Sequence, residues 1–171
     1  KLLENKFQPL FTTEKELLPI MNHVDLNMFG SLPLNLYQMT KKKKYLEVGL
    51  PYADTQWQVP ENAKPAEKEW ADKGYSWQTR LWIDDMYMIT IVQTQAYKVT
   101  KDRKYIDRAA KEMVLYLDEL QRPTACSITL PMYHSTGDAV TAGWLPVWLS
   151  YYVTCLKNIQ TANASCKDTT P

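Results

Sequence analysis

A twelve-residue segment occurs twice in this chain. The sequence LYQMTKKKKYLE at residues 36–47 recurs as AYKVTKDRKYID at residues 96–107, and the offset from Tyr45 to Tyr105 is 105 − 45 = 60 residues. In each copy a short polar joint lies between two stretches whose apolar residues have helical spacing. The repeating unit is therefore predicted to be a helical hairpin.

The spacing of apolar residues also predicts where the helices lie. It predicts four helices, two in each copy, over residues 25–39, 42–57, 79–99 and 102–121. Pro33 and Pro51 fall inside the helices of the first copy and are expected to kink or interrupt them, because proline has no N–H to donate. Residues 12–21 are predicted to form a preceding helix, and residues 51–77 a long polar connection between the hairpins.

Composition limits what kind of molecule this is. The 171 residues are 45% hydrophobic, which suits one globular core in a single domain. A formal net charge of +1 gives no field that would favour nucleic acid or an anionic membrane. The basic run at residues 41–44 aligns with Lys-Asp-Arg-Lys at residues 101–104, so it is predicted to be a solvated turn.

No targeting or metal-binding pattern stands out. No stretch approaches the roughly 20 apolar residues that cross a bilayer, and the chain opens on Lys1 without a signal-peptide pattern, which suggests a trimmed N-terminus. The three cysteines lie in the last third without metal-ligand spacing, and His23 and His134 are the only histidines. Neither a metal nor a cofactor is expected.

Two adjacent acids, Asp84 and Asp85, lie in an otherwise apolar helical stretch, residues 75–88, which reads YSWQTRLWIDDMYM. One interpretation is that at least one carboxylate points inward or into a cleft, where an ionised group is costly unless it is used. The other is that both lie in the first helical turn, where the helix dipole stabilises a carboxylate by roughly 0.3–1 kcal/mol. Shifting Asp85 back by 60 residues gives Asp25, so each hairpin has an acid at the start of its first helix. The two acids are predicted to face one shared opening, which we call the mouth.

The connection between the hairpins is rich in aromatic residues, namely Trp57, Trp70, Tyr75 and Trp77. Exposed rings at a mouth stack on sugar faces, whereas buried rings hold a loop against the body of the protein. The sequence leaves both interpretations open.

Two motifs carry a family resemblance. Residues 23–37, HVDLNMFGSLPLNLY, and residues 77–88, WQTRLWIDDMYM, resemble the unsaturated glucuronyl and rhamnogalacturonyl hydrolases of glycoside hydrolase families 88 and 105. The likeness covers roughly residues 7–123, includes the repeat, and is most specific in the I-D-D-M-[YF]-M core. It implies an all-α fold, an (α/α)6 toroid of helical hairpins with the first helices inside. Six hairpins would need about 360 residues at this period, so the chain supplies only part of the ring.

The resemblance implies an enzyme acting on 4,5-unsaturated uronic acid ends of oligosaccharides, such as those that polysaccharide lyases leave on pectin. An acid protonates C4 of the double bond, water adds at C5, and the hemiketal opens and expels the neighbouring sugar. By motif position Asp84 is the proton donor, Asp25 the second acid and Asp85 a supporting residue. Burial of Asp84 beside Trp82 and Met88 is expected to favour its protonated form. The alternatives are an inactive remnant or a carbohydrate-binding helical module.

Several other residues are expected to bind the substrate. Arg80 offers a planar fork for the uronate carboxylate, although a surface ion pair would explain it equally well. Four more side chains are assigned to substrate binding by position: Trp77, Tyr75, His23 and Trp82. The expected partner is an unsaturated oligosaccharide, with self-association possible through exposed apolar helix faces. The compartment, bacterial cytoplasm or periplasm, stays open.

Beyond Pro123 the chain departs from the family pattern. Residues 1–123 are predicted to be the N-terminal part of the hydrolase domain and residues 124–171 a divergent tail, in which residues 143–160 form an amphipathic helix. The family continues with Gly-Leu-Phe-Tyr-His and Trp-Gly-Arg-Gly-Asn-Gly-Trp motifs. Codons exist for residues 124–129 and 135–144 that spell both motifs in one shifted frame, so we hypothesise a frameshift near Pro123. Coding DNA that cannot be read in that frame would contradict the hypothesis.

Overall fold

A computed structural model describes residues 2–120, apart from the side chains of Ile83 and Leu120. The predictions for the tail, residues 124–171, lie outside the described residues. Seven α-helices follow one another along the described chain: α1 Leu2–Phe7, α2 Val24–Asn27, α3 Ser31–Thr40, α4 Lys43–Thr55, α5 Pro65–Lys73, α6 Ile83–Thr100 and α7 Arg103–Leu120. Three short 3₁₀ segments lie at Gln8–Phe11, Lys15–Leu17 and Met28–Gly30. Residues 2–120 contain no strand, so the predicted all-α class is confirmed there.

The two joints of the repeat have the same backbone structure. Lys41 ends α3 and Lys101 ends α6 in the left-handed conformation, with φ of 58° and 63°. Each donates its N–H over 2.8 Å to a tyrosine carbonyl one turn earlier, Tyr37 or Tyr97. Lys41 and Lys42 lie in the turn with exposed side chains, as predicted, whereas Lys43 and Lys44 already belong to α4. The 60-residue repeat is thus a repeat of helical hairpins.

The first helices of the two hairpins pack against each other, α3 on α6, and each also packs against its own second helix, α4 or α7. Tyr52 and Tyr105, one from each second helix, are both buried in this core. The central core cluster consists of Leu34, Tyr52, Ala53, Val92, Ala96 and Tyr105. Among the described helices, none has the length and apolar character needed to span a membrane.

Prolines shape the first copy in a way that was only partly predicted. Its first helix is interrupted, as expected near Pro33, by the 3₁₀ segment Met28–Gly30, which separates α2 from α3. Pro51 does not end α4, which continues to Thr55. The helix predicted over residues 12–21 is wrong, because Pro19 forces the preceding Leu18 into an extended conformation (ψ 135°).

The connection between the hairpins was predicted to be a long loop. It contains a helix, α5 (Pro65–Lys73). Pro65 occupies the first helical turn, and the Glu67 carboxylate accepts the N–H of Lys64 over 2.7 Å. Gly74 ends the helix at φ 94°, a conformation that glycine adopts without steric cost. Start and stop signals were therefore present in the sequence within the segment read as a loop.

Gly30 allows α4 to approach the junction of α2 and α3. A Cβ at this position would overlap the Cβ of Tyr52 and lie 3.3 Å from Cγ1 of Val92. Gly30→Ala is expected to lower the free energy of unfolding by about 1–3 kcal/mol through overpacking, measured by urea unfolding. Met39→Ala, at a 67% exposed site on the same hairpin, should change it by less than about 0.5 kcal/mol; equal effects would contradict the packing argument.

Candidate active site

Acidic residues occupy the first turn of α2, where the first hairpin begins, and of α6, where the second begins. Asp25 is the second residue of α2, which follows the N-cap His23. Asp84 and Asp85 are the second and third residues of α6, which follows Trp82. Helix position therefore matches Asp25 with Asp84, at an offset of 84 − 25 = 59, and not with Asp85 as the 60-residue repeat had predicted.

The one-residue difference between the two offsets coincides with a difference in helix type. The 3₁₀ segment Met28–Gly30 lies within the first copy only. A 3₁₀ helix rises about 2.0 Å per residue and an α-helix about 1.5 Å, so three 3₁₀ residues gain about 1.5 Å, the rise of one α-helical residue. This extra rise is of the size needed to offset the missing residue, since Asp25 precedes Lys41 by 16 residues and Asp84 precedes Lys101 by 17.

The two adjacent acids have opposite environments. Asp85 is fully buried, and its carboxylate accepts the backbone N–H groups of Arg80 (2.9 Å) and Trp82 (3.4 Å). Burial raises the pKa of Asp85, against the opposing effect of the Arg80 guanidinium. Asp84 is exposed among the described residues, so its expected burial beside Trp82 and Met88 is not observed. Both interpretations of the pair hold in part: both acids lie in the first turn, and one points inward.

Arg80 joins the two hairpins through their acids. Its Nε donates to Asp85 Oδ1 at 3.0 Å, and its Nη2 donates to Asp85 Oδ1 at 2.5 Å and to Asp25 Oδ1 at 3.0 Å. The Trp82 ring lies over this guanidinium, with its centroid 4.4 Å from Cζ. The Arg80 guanidinium, which was predicted to bind the substrate carboxylate, therefore binds two carboxylates of the protein. The alternative, an ion pair, is the one observed, and the Arg80 side chain is only 26% exposed.

His23 is placed beside Asp25 in two ways. Its Nδ1 accepts the backbone N–H of Asp25 at 3.3 Å and lies 3.3 Å from the Asp25 Oδ2. A neutral imidazole provides the acceptor for the helix cap, whereas a protonated ring pairs with the carboxylate. The side chain is 45% exposed and that of Asp25 is 53% exposed.

The aromatic residues expected to bind sugar divide into two groups. Trp77 is buried and donates its Nε1–H to the carbonyl of Thr55 at 2.6 Å. Tyr75 is buried and donates its hydroxyl to the carbonyl of Leu115 at 3.0 Å. Of the two interpretations that the sequence left open, the observed one for both rings is that they hold the connection to the helices. Trp82, 39% exposed, presents a ring near the acids.

Sequence reasoning missed Glu112, a fully buried acid on α7. It accepts the N–H of Ser76 and the hydroxyl of Thr79, each at 2.8 Å. Burial raises its pKa to about 8. The available signal was its spacing, because Glu112 lies three residues after Ala109 and four before Tyr116, on the buried face of α7.

The acids lie outside a surface hollow of about 390 Å³ in the described chain. That hollow is lined by residues of the connection and α5: Val59, Pro60, Glu61, Lys68, Ala71 and Asp72. Within residues 2–120, no group of three or more His, Cys, Asp or Glu side chains is arranged to hold a metal ion.

Comparison with known proteins assigns the family. Residues 3–145 match the family model described as Glycosyl Hydrolase Family 88, a span that includes both hairpins and continues past Pro123. No curated protein and no solved structure matches the chain. The two described hairpins are accordingly part of an (α/α)6 toroid, and the expected substrate class is carbohydrate. The chain belongs to Glycosyl Hydrolase Family 88, and by family it is a glycoside hydrolase of the unsaturated glucuronyl hydrolase kind.

Proposed function

We propose that this chain hydrates the double bond of 4,5-unsaturated uronic acid ends of oligosaccharides, with Asp84 as proton donor and Asp25 as its partner. The observation that carries the proposal is the Arg80 bridge. Arg80 Nη2 contacts Asp25 at 3.0 Å and Asp85, the neighbour of Asp84, at 2.5 Å. The bridge supports a single mouth shared by acids from two hairpins.

The exposed acids suit this chemistry better than the buried one. Asp84 and Asp25 are open to a ligand, whereas Asp85 has its oxygens bound to Arg80 and Trp82. A uronate bound against two carboxylates adds negative charge, which favours the protonated form of a neighbouring acid. Substrate binding would thus supply part of the effect that burial was expected to supply.

In the proposed reaction, Asp84 transfers its proton to C4 of the double bond. Water adds at C5, and its departing proton returns to the Asp84 carboxylate. The hemiketal opens and releases the neighbouring sugar. Asp25, held by Arg80 and beside His23, orients the substrate or the water, and Asp85 fixes Arg80. General acid catalysis of this kind typically contributes about 10²–10⁴ in rate.

The test is turnover by the full chain. Unsaturated glucuronyl and rhamnogalacturonyl disaccharides, made with polysaccharide lyases, are incubated with the protein, and the ultraviolet absorbance of the double bond is followed. We expect the absorbance to fall with at least one of them, which would also identify the preferred end group. The same disaccharides with a saturated end serve as controls for binding measured by calorimetry. Binding without any loss of absorbance would instead indicate a carbohydrate-binding module and overturn the proposal.

A further inference from the structure

Glu112 is a buried acid that the proposed chemistry does not use. Among the described residues no cation lies within ion-pair distance of it. Its two oxygens accept different donors, Oε2 the backbone N–H of Ser76 and Oε1 the hydroxyl of Thr79. A buried carboxyl group is costly without such partners. The role of Glu112 is therefore to be sought in the segment that contains Ser76 and Thr79.

That segment, residues 76–79, is held from a second side as well. Ser76 donates its hydroxyl to the carbonyl of Gln56 at 2.7 Å, just beyond the end of α4. Gln56 is in turn bound by Gln93 of α6, whose Nε2 donates to its Oε1 at 2.8 Å. All three side chains are fully buried. The segment thus takes its position from three helices, and Glu112 provides the contact from α7.

The residues that follow the segment lead directly to the acids. Arg80 comes next and binds Asp85 with both its backbone N–H and its guanidinium. Leu81 has a φ of 59°, which is uncommon for a residue with a branched side chain and persists only where its surroundings fix it. Trp82 then donates its N–H to Asp85. Two buried acidic side chains therefore hold this turn from both ends: Glu112 contacts Thr79 before it, and Asp85 contacts Trp82 after it.

We propose that Glu112 is a positioning residue. By accepting hydrogen bonds from Ser76 and Thr79, it fixes from α7 the turn that contains Leu81. This turn keeps the Arg80 guanidinium between Asp85 and Asp25. Glu112 does not touch the mouth itself. Its effect on the acids passes through the backbone from Thr79 to Arg80. The effect on turnover rests on the proposed function, whereas the effect on the turn does not.

The first test measures the turn directly by amide hydrogen exchange of the full chain, resolved by segment with mass spectrometry. Thr79→Val removes the donor to Glu112 Oε1, and Glu112→Ala removes both contacts. Each is expected to accelerate exchange in residues 76–82 by roughly tenfold or more, with residues 40–45, at the joint between α3 and α4, unchanged. Glu112→Gln should retain most of the protection, because its amide oxygen accepts from Ser76 and its NH₂ group donates to the Thr79 hydroxyl.

The second test compares steady-state constants of the same variants on the substrate that the wild-type chain turns over. Thr79→Val and Glu112→Ala should lower kcat with little change in KM, and Glu112→Gln should restore kcat. Unchanged exchange in residues 76–82, or equal acceleration along the whole chain, would overturn the inference. If Glu112→Ala does not fold, Thr79→Val decides. If the wild-type chain shows no turnover, the proposed function fails, and the exchange result still judges the role of Glu112.

Discussion

Asp84→Asn is expected to lower kcat on an unsaturated disaccharide by about 10²–10⁴, the usual contribution of a positioned general acid. Asparagine has nearly the same shape as aspartic acid but cannot supply the proton that C4 receives. The side chain is exposed, so the substitution should leave the fold unchanged. The measurement is the rate at which the ultraviolet absorbance of the double bond is lost.

Asp107→Asn provides a matched control for this experiment. Asp107 is also an exposed acid near the start of a helix, but it lies on α7 and pairs with Arg103. It should leave kcat within about twofold of the wild-type value, because a surface ion pair is worth little. Thermal unfolding by circular dichroism checks that both variants fold alike. Wild-type turnover by Asp84→Asn would assign the proton donor elsewhere.

The free energy of unfolding is expected to fall as the pH rises from about 4.5 to about 8, because of Glu112. Burial raises its pKa from an ordinary 4.5 to about 8, so in this window the folded chain holds a proton that the unfolded chain releases. The contribution is complete below the unfolded-state pKa and is lost as the pH rises through the folded-state pKa. One such proton corresponds to a slope of at most about 1.4 kcal/mol per pH unit. Urea unfolding at several pH values within the window measures it.

Glu112→Gln is the variant that tests the origin of this slope. Glutamine is neutral at every pH and similar in shape, so the fall in stability should become shallower. Some slope will remain, since burial also raises the pKa of Asp85. The other charged or titratable groups acting on or near Glu112 are Lys111, Tyr75 and Tyr116; burial raises the pKa of both tyrosines, so they do not titrate in this window. Parallel pH curves for the wild-type chain and Glu112→Gln would rule out Glu112 as the cause.

The site was less predictable than the hairpins because its residues depend on register. Asp84 and Asp85 are neighbours in sequence but lie about 100° apart around a helix, so a shift of one residue decides which is buried. Asp25 is one residue closer to Lys41 than Asp84 is to Lys101. The repeat alone therefore paired Asp25 with Asp85, and the spacing could not show which of the two adjacent acids is buried.

Arg80 illustrates the same limit in its contacts. Its residue type indicated a carboxylate partner, and it does bind carboxylates. The sequence could not say that the partners belong to the protein, since Asp25 lies 55 residues away along the chain. The sequence also could not decide whether Trp77 and Tyr75 are exposed or buried, because an aromatic side chain suits both a sugar-binding surface and a core.

The sequence by itself determined the helical hairpins and their joints, because apolar periodicity and helix-ending hydrogen bonds act between residues a few positions apart. It also determined the family, through the motif around Asp84. The tertiary structure alone decided which acid is buried, that Arg80 bridges the hairpins, and that Glu112 clasps Ser76 from 36 residues away. The spacing along α7 could have indicated that Glu112 is buried, but the partners of a buried group are brought together only when the chain folds, and no local pattern encodes them.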